Sequence, residues 1–256
     1  MVKLPASGAE IALRALGGVD EMLLQEALWS EGGGGPVAAG IALLGRLAGE
    51  GFDASALVVT DFEFALLTVR AARFGQRMAL GFGCPHCRER AEVSFRIAEF
   101  LEGVTPRAVK GVVPDAGRPG WFRLEGAGFR LPSAGDLVAL VGVSQPARRL
   151  AERCLDEVAL RKPFRAKVER AMEAMAPGLS RPIAGQCPSC GAQVQAGLSV
   201  AGVVVSELAR GAGAVHDEVD LIARAYHWPE PVILALPQYR RRAYAERIRR
   251  AQPRAA

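Results

Sequence analysis

The sequence predicts an α+β fold, mostly helical, with an N-terminal β-hairpin and a four-cysteine ribbon that a helical insertion interrupts. Three observations lead there. Two C-P-x-C turns, Cys84-Pro-His-Cys87 and Cys187-Pro-Ser-Cys190, each lie between stretches whose apolar residues alternate with a period of two, the mark of short strands. Most of the remaining chain repeats its apolar residues at helical spacing. Half of the residues are hydrophobic and 23% are charged, a balance that builds a core rather than a disordered chain.

Residues 1–76 read as a hairpin followed by helices. Val2 to Arg14 folds back at Ser7-Gly8, and a helix over 19–29 places Met22, Leu23, Ala27 and Leu28 on one side. Glycines 32–35 and Pro36 form a loop, and a second helix over 36–48 carries its proline in the first turn, where the missing N–H does no harm. A third helix starts at Asp61 with Thr60 as its N-cap and ends near Gly75, with Phe62, Leu66 and Val69 along one face. Residues 77–97 change period: Met78, Leu80 and Phe82 alternate before the first cysteine pair, and Val93, Phe95 and Ile97 after it.

Residues 98–180 form an insertion. Two strand-like runs begin at Trp121 and Gly128, and Ser133 caps a helix over 134–141 with Asp136 in its first turn. Helices over 146–160 and 163–175 complete it. Residues 181–199 repeat the hairpin around the second cysteine pair, with Ile183 before it and Val194, Ala196 and Leu198 after it. Residues 200–256 are helical: a long helix over 203–227 that Gly211 and Gly213 interrupt, a stop at Trp228-Pro229, then helices over 229–236 and 237–250.

The two cysteine pairs carry the chemistry. Cys84, Cys87, Cys187 and Cys190 can give four thiolates to one tetrahedral zinc, and zinc so bound is structural because no coordination position stays open for water. Iron also accepts tetrahedral sulfur. The pairs are about a hundred residues apart, so one ion would tie distant parts of the chain together. Gly191 after the second pair lets the backbone turn its amides toward sulfur. His86 is read as an exposed bystander and Cys154, the unpaired fifth cysteine, as a small buried hydrophobe. The competing reading of the pairs, a thiol oxidoreductase, requires a reactive pair that holds no metal, and such a pair sits alone at a helix start. Three histidines and the absence of any phosphate loop, H-E-x-x-H or G-x-S-x-G run argue against an enzyme, and no small-molecule substrate is expected. Asp61 with Glu63, and Asp217 with Glu218 and Asp220, read as solvated faces or caps.

No run is apolar enough to span a bilayer, and the opening Met1-Val-Lys-Leu-Pro lacks a secretory core, so the expected compartment is a cytoplasm. There, paired cysteines serve metal or redox chemistry more often than disulfides. Charge is concentrated at 240–254, with seven arginines against one glutamate. An apolar stripe of Tyr239, Ala243 and Ile248 makes this the solvated face of a terminal helix. The alternative is a zinc-ribbon protein whose arginines bind nucleic acid phosphates, but the cysteine turns carry no stacking aromatics beside them.

The order of these pieces resembles one family. Segment 217–244, Asp217-Glu-Val-Asp-Leu-Ile-Ala-Arg-Ala-Tyr-His-Trp-Pro-Glu-Pro-Val-Ile-Leu-Ala-Leu-Pro-Gln-Tyr-Arg-Arg-Arg-Ala-Tyr244, looks like the ending E-V-x-x-L-A-R-x-Y-x-W-x-E-x-x-I-L-x-L-x-x-x-R-R-x-x-Y of T-even-type phage baseplate (hub assembly) proteins, also found in phage-like contractile injection systems. Ile222 stands for the first leucine. Phe129-Arg-Leu-Pro-Ser-Ala-Gly-Asp-Leu137 is similar to the family's F-R-L-P-T-x-x-D-L, and Phe74-Gly-Gln-Arg77 to its step into the first C-P-x-C. Arg88 departs from the glycine usual after the first turn, and Gly211 and Gly213 fall where the family has a continuous helix. The resemblance implies a non-enzymatic component that builds or holds a contractile-tail baseplate hub. It would be cytoplasmic during assembly and then part of a virion baseplate or injection-system particle. Tyr226, Trp228, Ile233, Leu234, Leu236, Arg240 and Arg241 would meet other hub subunits, since Trp, Tyr and Arg dominate interface energetics.

Overall fold

The opening residues turn on Gly8, whose φ of 72° favours a residue without a Cβ. Strands β1 (Val2–Lys3) and β2 (Glu10–Ile11) pair antiparallel, Val2 opposite Ile11. This is a computed structural model, which describes residues 1–29 and 34–251; positions 32 and 33 of the expected glycine loop lie outside the described residues. Helices α1 (Gly18–Trp29) and α2 (Gly35–Ala48) follow, then a short 3-10 turn at Ala54–Ala56 and α3 (Val59–Phe74). Phe62, Ala65, Leu66 and Leu67 are all fully buried, so α3 is a central strut with apolar residues on more than one face.

Two expectations fail at α3. Thr60 is not its N-cap: the helix begins at Val59, whose N–H donates to the Pro132 carbonyl at 2.9 Å, so a long-range backbone bond replaces a side-chain cap. The Thr60 hydroxyl instead donates to Pro177 O at 3.0 Å. Asp61 and Glu63 are buried, not solvated. The Asp61 carboxylate accepts the Ala6 and Ser7 N–H groups at 2.7 and 2.9 Å, which fastens the first turn. Glu63 accepts the Leu179 and Ser180 N–H groups and the Ser180 hydroxyl. Burial pushes its carboxyl above the ordinary range against those hydrogen bonds.

Next come β3 (Arg77–Gly83) and β4 (Arg90–Arg96), paired antiparallel, and α4 (Ile97–Glu102). The insertion holds a three-stranded antiparallel sheet of β5 (Val112–Pro114), β6 (Trp121–Leu124) and β7 (Ala127–Arg130), then α5 (Ala134–Val138), α6 (Pro146–Cys154) and α7 (Lys162–Met175). Ser133 and Asp136 form a reciprocal capping box at α5, as their spacing suggests. Helix α6 ends well short of 160. Leu155 leaves the helix to bridge Phe129, and the Asp156 N–H donates to Gly128 O at 2.9 Å. Leu124, Phe129, Ala151, Leu155 and Val168 give this insertion an apolar core of its own.

Strands β8 (Pro182–Gln186) and β9 (Gln193–Gly197) make the last hairpin, followed by α8 (Val200–Tyr226), α9 (Glu230–Leu234) and α10 (Gln238–Ala251). Helix α8 runs unbroken through Gly211 and Gly213, contrary to expectation. Ala212 and Val215 keep its buried stripe intact, and a Cβ on Gly211 would meet Glu21 Oε1 at 3.2 Å, so that glycine admits a neighbouring helix. The main core packs α1, α2 and α3 against α8 and takes in Met78, Leu80 and Val93 from the first cysteine hairpin. The described residues thus form an α+β mix, and none of their helices is long and apolar enough to cross a membrane.

Candidate metal centre

Cys84 and Cys87 sit at the tip of β3–β4, and Cys187 and Cys190 at the tip of β8–β9. The two tips repeat one hydrogen-bond scheme. Cys84 N–H donates to Glu89 O and Arg88 N–H to Cys84 O, both at 2.9 Å; Cys187 N–H donates to Ala192 O at 2.9 Å and Gly191 N–H to Cys187 O at 2.8 Å. Residues 88 and 191 are therefore equivalent, and both are left-handed, at φ 65° and 73°. Only one of them is glycine.

The hairpins meet because β8 lies against β4 and β9 against β3. Gly185 permits this approach: a Cβ there would sit 2.5 Å from Val93 Cγ2. The four sulfurs then converge from positions 100 and 106 apart in sequence, with Sγ–Sγ separations of 3.7 Å for Cys87–Cys187 and 3.8 Å for Cys84–Cys190. All four lie within 4.8 Å of one another. These separations exceed the roughly 2 Å of a disulfide. They match the edge of a tetrahedron, about 3.8 Å, that four metal–sulfur bonds of about 2.3 Å enclose.

Cys84 and Cys187 are buried, Cys87 is half-buried and Cys190 faces solvent. Their thiols lie within hydrogen-bonding reach of one another. The Cys190 N–H, helped by that of Ser189 and by Cys84 and Cys87, holds Cys187 down at about 6 against burial. The Glu89 N–H lowers Cys87, but burial and hydrogen bonds with the other three thiols outweigh it and push that group up to about 12. Four thiolates at these separations would repel one another, and a cation at their centre would offset that repulsion. His86 is exposed and lies outside the cluster. Cys154 is far away, buried in the insertion with its thiol pushed up to about 11 by burial.

No protein-family model, curated protein or solved structure matches this chain.

The residues expected to meet a partner are divided by the structure. Ile233, Leu234 and Arg241 are withdrawn into the chain's own packing, with Arg241 only 1% exposed. Arg241 Nε bonds Glu218 at 2.6 Å, and its Nη2 reaches Glu21 at 3.8 Å, so this arginine locks α10 onto α8 and α1. Glu218 is accordingly a buried ion-pair member rather than a solvated acid. Trp228 stacks on Tyr226 at 5.3 Å between centroids and meets Tyr244 edge-on at 5.2 Å, which ties α8, α10 and the segment before α9 together. Tyr226 and Arg240 remain exposed, and Leu236 is half-buried. The ion pairs Glu21–Arg73 and Arg241–Glu218 escaped sequence reading. A faint signal existed: Arg241 lies four residues before Ala245, so both occupy the inward face of α10.

Proposed function

We propose that the protein is a non-enzymatic structural or assembly component of a contractile, phage-like tail baseplate hub. One structural zinc on Cys84, Cys87, Cys187 and Cys190 makes the two hairpins a split ribbon, and the ribbon anchors both ends of the helical insertion. The observation that carries this reading is the convergence of two distant hairpins on one closed shell of four sulfurs. A four-thiolate shell has no position for substrate or water, which favours a scaffold over a catalyst. The order of the baseplate-like motifs supports the hub assignment. Tyr226 and Trp228 with Tyr244, together with exposed Arg240 and Tyr239, offer the aromatic and cationic residues that anchor protein interfaces.

Metal analysis of the purified chain tests the clamp, and co-purification with contractile-tail hub proteins tests the assignment. The expected results are one zinc per chain, loss of zinc and folded structure in Cys187→Ser/Cys190→Ser, and recovery of hub subunits by the intact protein. Trp228→Ala, with zinc content unchanged, should weaken that recovery. A metal-free protein whose thiols cycle to disulfides would overturn the clamp; a zinc-loaded protein that recovers no hub subunit would overturn the assignment.

A further inference from the structure

Where the insertion leaves and rejoins the ribbon, the chain encloses a cleft of about 630 Å3 whose lining includes Thr105, Arg107, Arg170, Glu173 and Arg181. The three arginines are exposed, and none pairs with a carboxylate among the described residues. Elsewhere in the insertion Arg130, Arg148, Arg153 and Arg165 each hold an acid. Three cations against the single carboxylate of Glu173 leave the cleft with a surplus of two positive charges, 3 − 1 = 2.

Two of these arginines stand on ordered backbone. The Arg107 N–H donates to Ala174 O at 2.8 Å, which pins its loop to α7. The Arg181 guanidinium lies 4.9 Å above the Phe100 ring, and Arg181 O accepts the Leu198 N–H. Like charges held together on fixed supports favour an anion that can bridge them, and planar guanidinium forks match carboxylates two bonds at a time. Nucleic acid binding to single strands draws on exposed aromatic platforms. This cleft has none, because Phe100 is buried beneath Arg181.

We propose that this cleft is a docking site for an acidic peptide segment of a partner protein, gripped by Arg107, Arg170 and Arg181. The inference goes beyond the hub assignment and does not depend on which particle the protein serves. The test uses full-length, metal-loaded protein and a fluorescein-labelled oligo-glutamate peptide, with binding read by anisotropy. Arg107→Gln, Arg170→Gln and Arg181→Gln should each weaken binding about threefold, the scale of an exposed ion pair, and the triple variant about 25-fold. Arg249→Gln, a distant exposed arginine on α10, should leave binding unchanged. Binding that survives the triple variant, falls equally with Arg249→Gln, or gives way to a tighter-binding single-stranded oligonucleotide overturns the proposal. Metal content and melting temperature measured on the same samples separate failure of the cleft from failure of the zinc clamp.

Discussion

Residues 88 and 191 occupy equivalent left-handed positions in the two cysteine turns, one as arginine and the other as glycine. That pairing sets up an internally controlled exchange. A side chain at such a φ suffers a clash of about 1–2 kcal/mol between its Cβ and the following carbonyl. Glycine removes the clash but adds chain entropy to the unfolded state, worth about 0.5–1 kcal/mol. The Arg88 side chain is exposed and has no ion-pair partner among the described residues, so Arg88→Gly removes no contact of consequence. The difference leaves Arg88→Gly more stable by about 0.5–1 kcal/mol, or a rise in melting temperature of roughly 2 °C for a chain of this size. Gly191→Ala, with open space around its new Cβ, should lose about 1 kcal/mol from backbone strain alone. Thermal unfolding of metal-loaded protein reads both changes, and competition with a chelator reads their effect on metal retention. Shifts of the same sign at the two positions, or a destabilised Arg88→Gly, would refute the argument that backbone geometry limits the first turn.

Other perturbations follow from the same packing. Gly185→Ala should drive a Cβ into Val93 and cost about 1–3 kcal/mol with weakened metal retention, and Val93→Ala added to it should restore retention in a chelator assay. Arg241→Met leaves Glu218 buried beside only the more distant Arg242; denaturant melts should show a loss of about 3 kcal/mol, part of it recovered by adding Glu218→Gln. Burial opposes the charge on Asp136, but Arg130, the Ser133 N–H and Arg153 prevail and hold its carboxyl well below the usual range. Its stabilising contribution is therefore complete above the unfolded value near 3.9 and is lost as pH falls toward the folded one. The stability gap between the wild type and Asp136→Asn should be widest at neutral pH and should narrow below about pH 4 in paired denaturant titrations.

The α+β mix and the meeting of the four cysteines were legible because each rests on local chemistry. Period-two residues flank both C-P-x-C turns, and helical periodicity marks α2 and α7. What sequence missed depends on contacts across the chain. Nothing local shows that Pro132 supplies a carbonyl to Val59, so Thr60 reads as a cap. Nothing local shows that Leu155 is needed beside Phe129, so α6 reads as longer than it is. Charged residues suffered most. Asp61, Glu63, Glu218 and Arg241 look like surface until the amides or counter-charges that accompany them inward are known. Gly211 and Gly213 show the reverse error: glycine weakens an isolated helix, but α8 is held by its buried neighbours.

The separation of the two cysteine turns along the chain also imposes an order in time. During synthesis the first cysteine turn leaves the ribosome as an open, two-thiol half-site, and Cys187 and Cys190 follow only after 100 or more further residues. At about 5–20 residues per second that interval is roughly 5–20 s, and in it the whole insertion with its own apolar core is made. Helix α8, against which α1, α2 and α3 pack, emerges later still. The four sulfurs can meet only on a chain whose middle has already been made, and the N-terminal helices gain α8 as a partner only after the second cysteine turn has emerged.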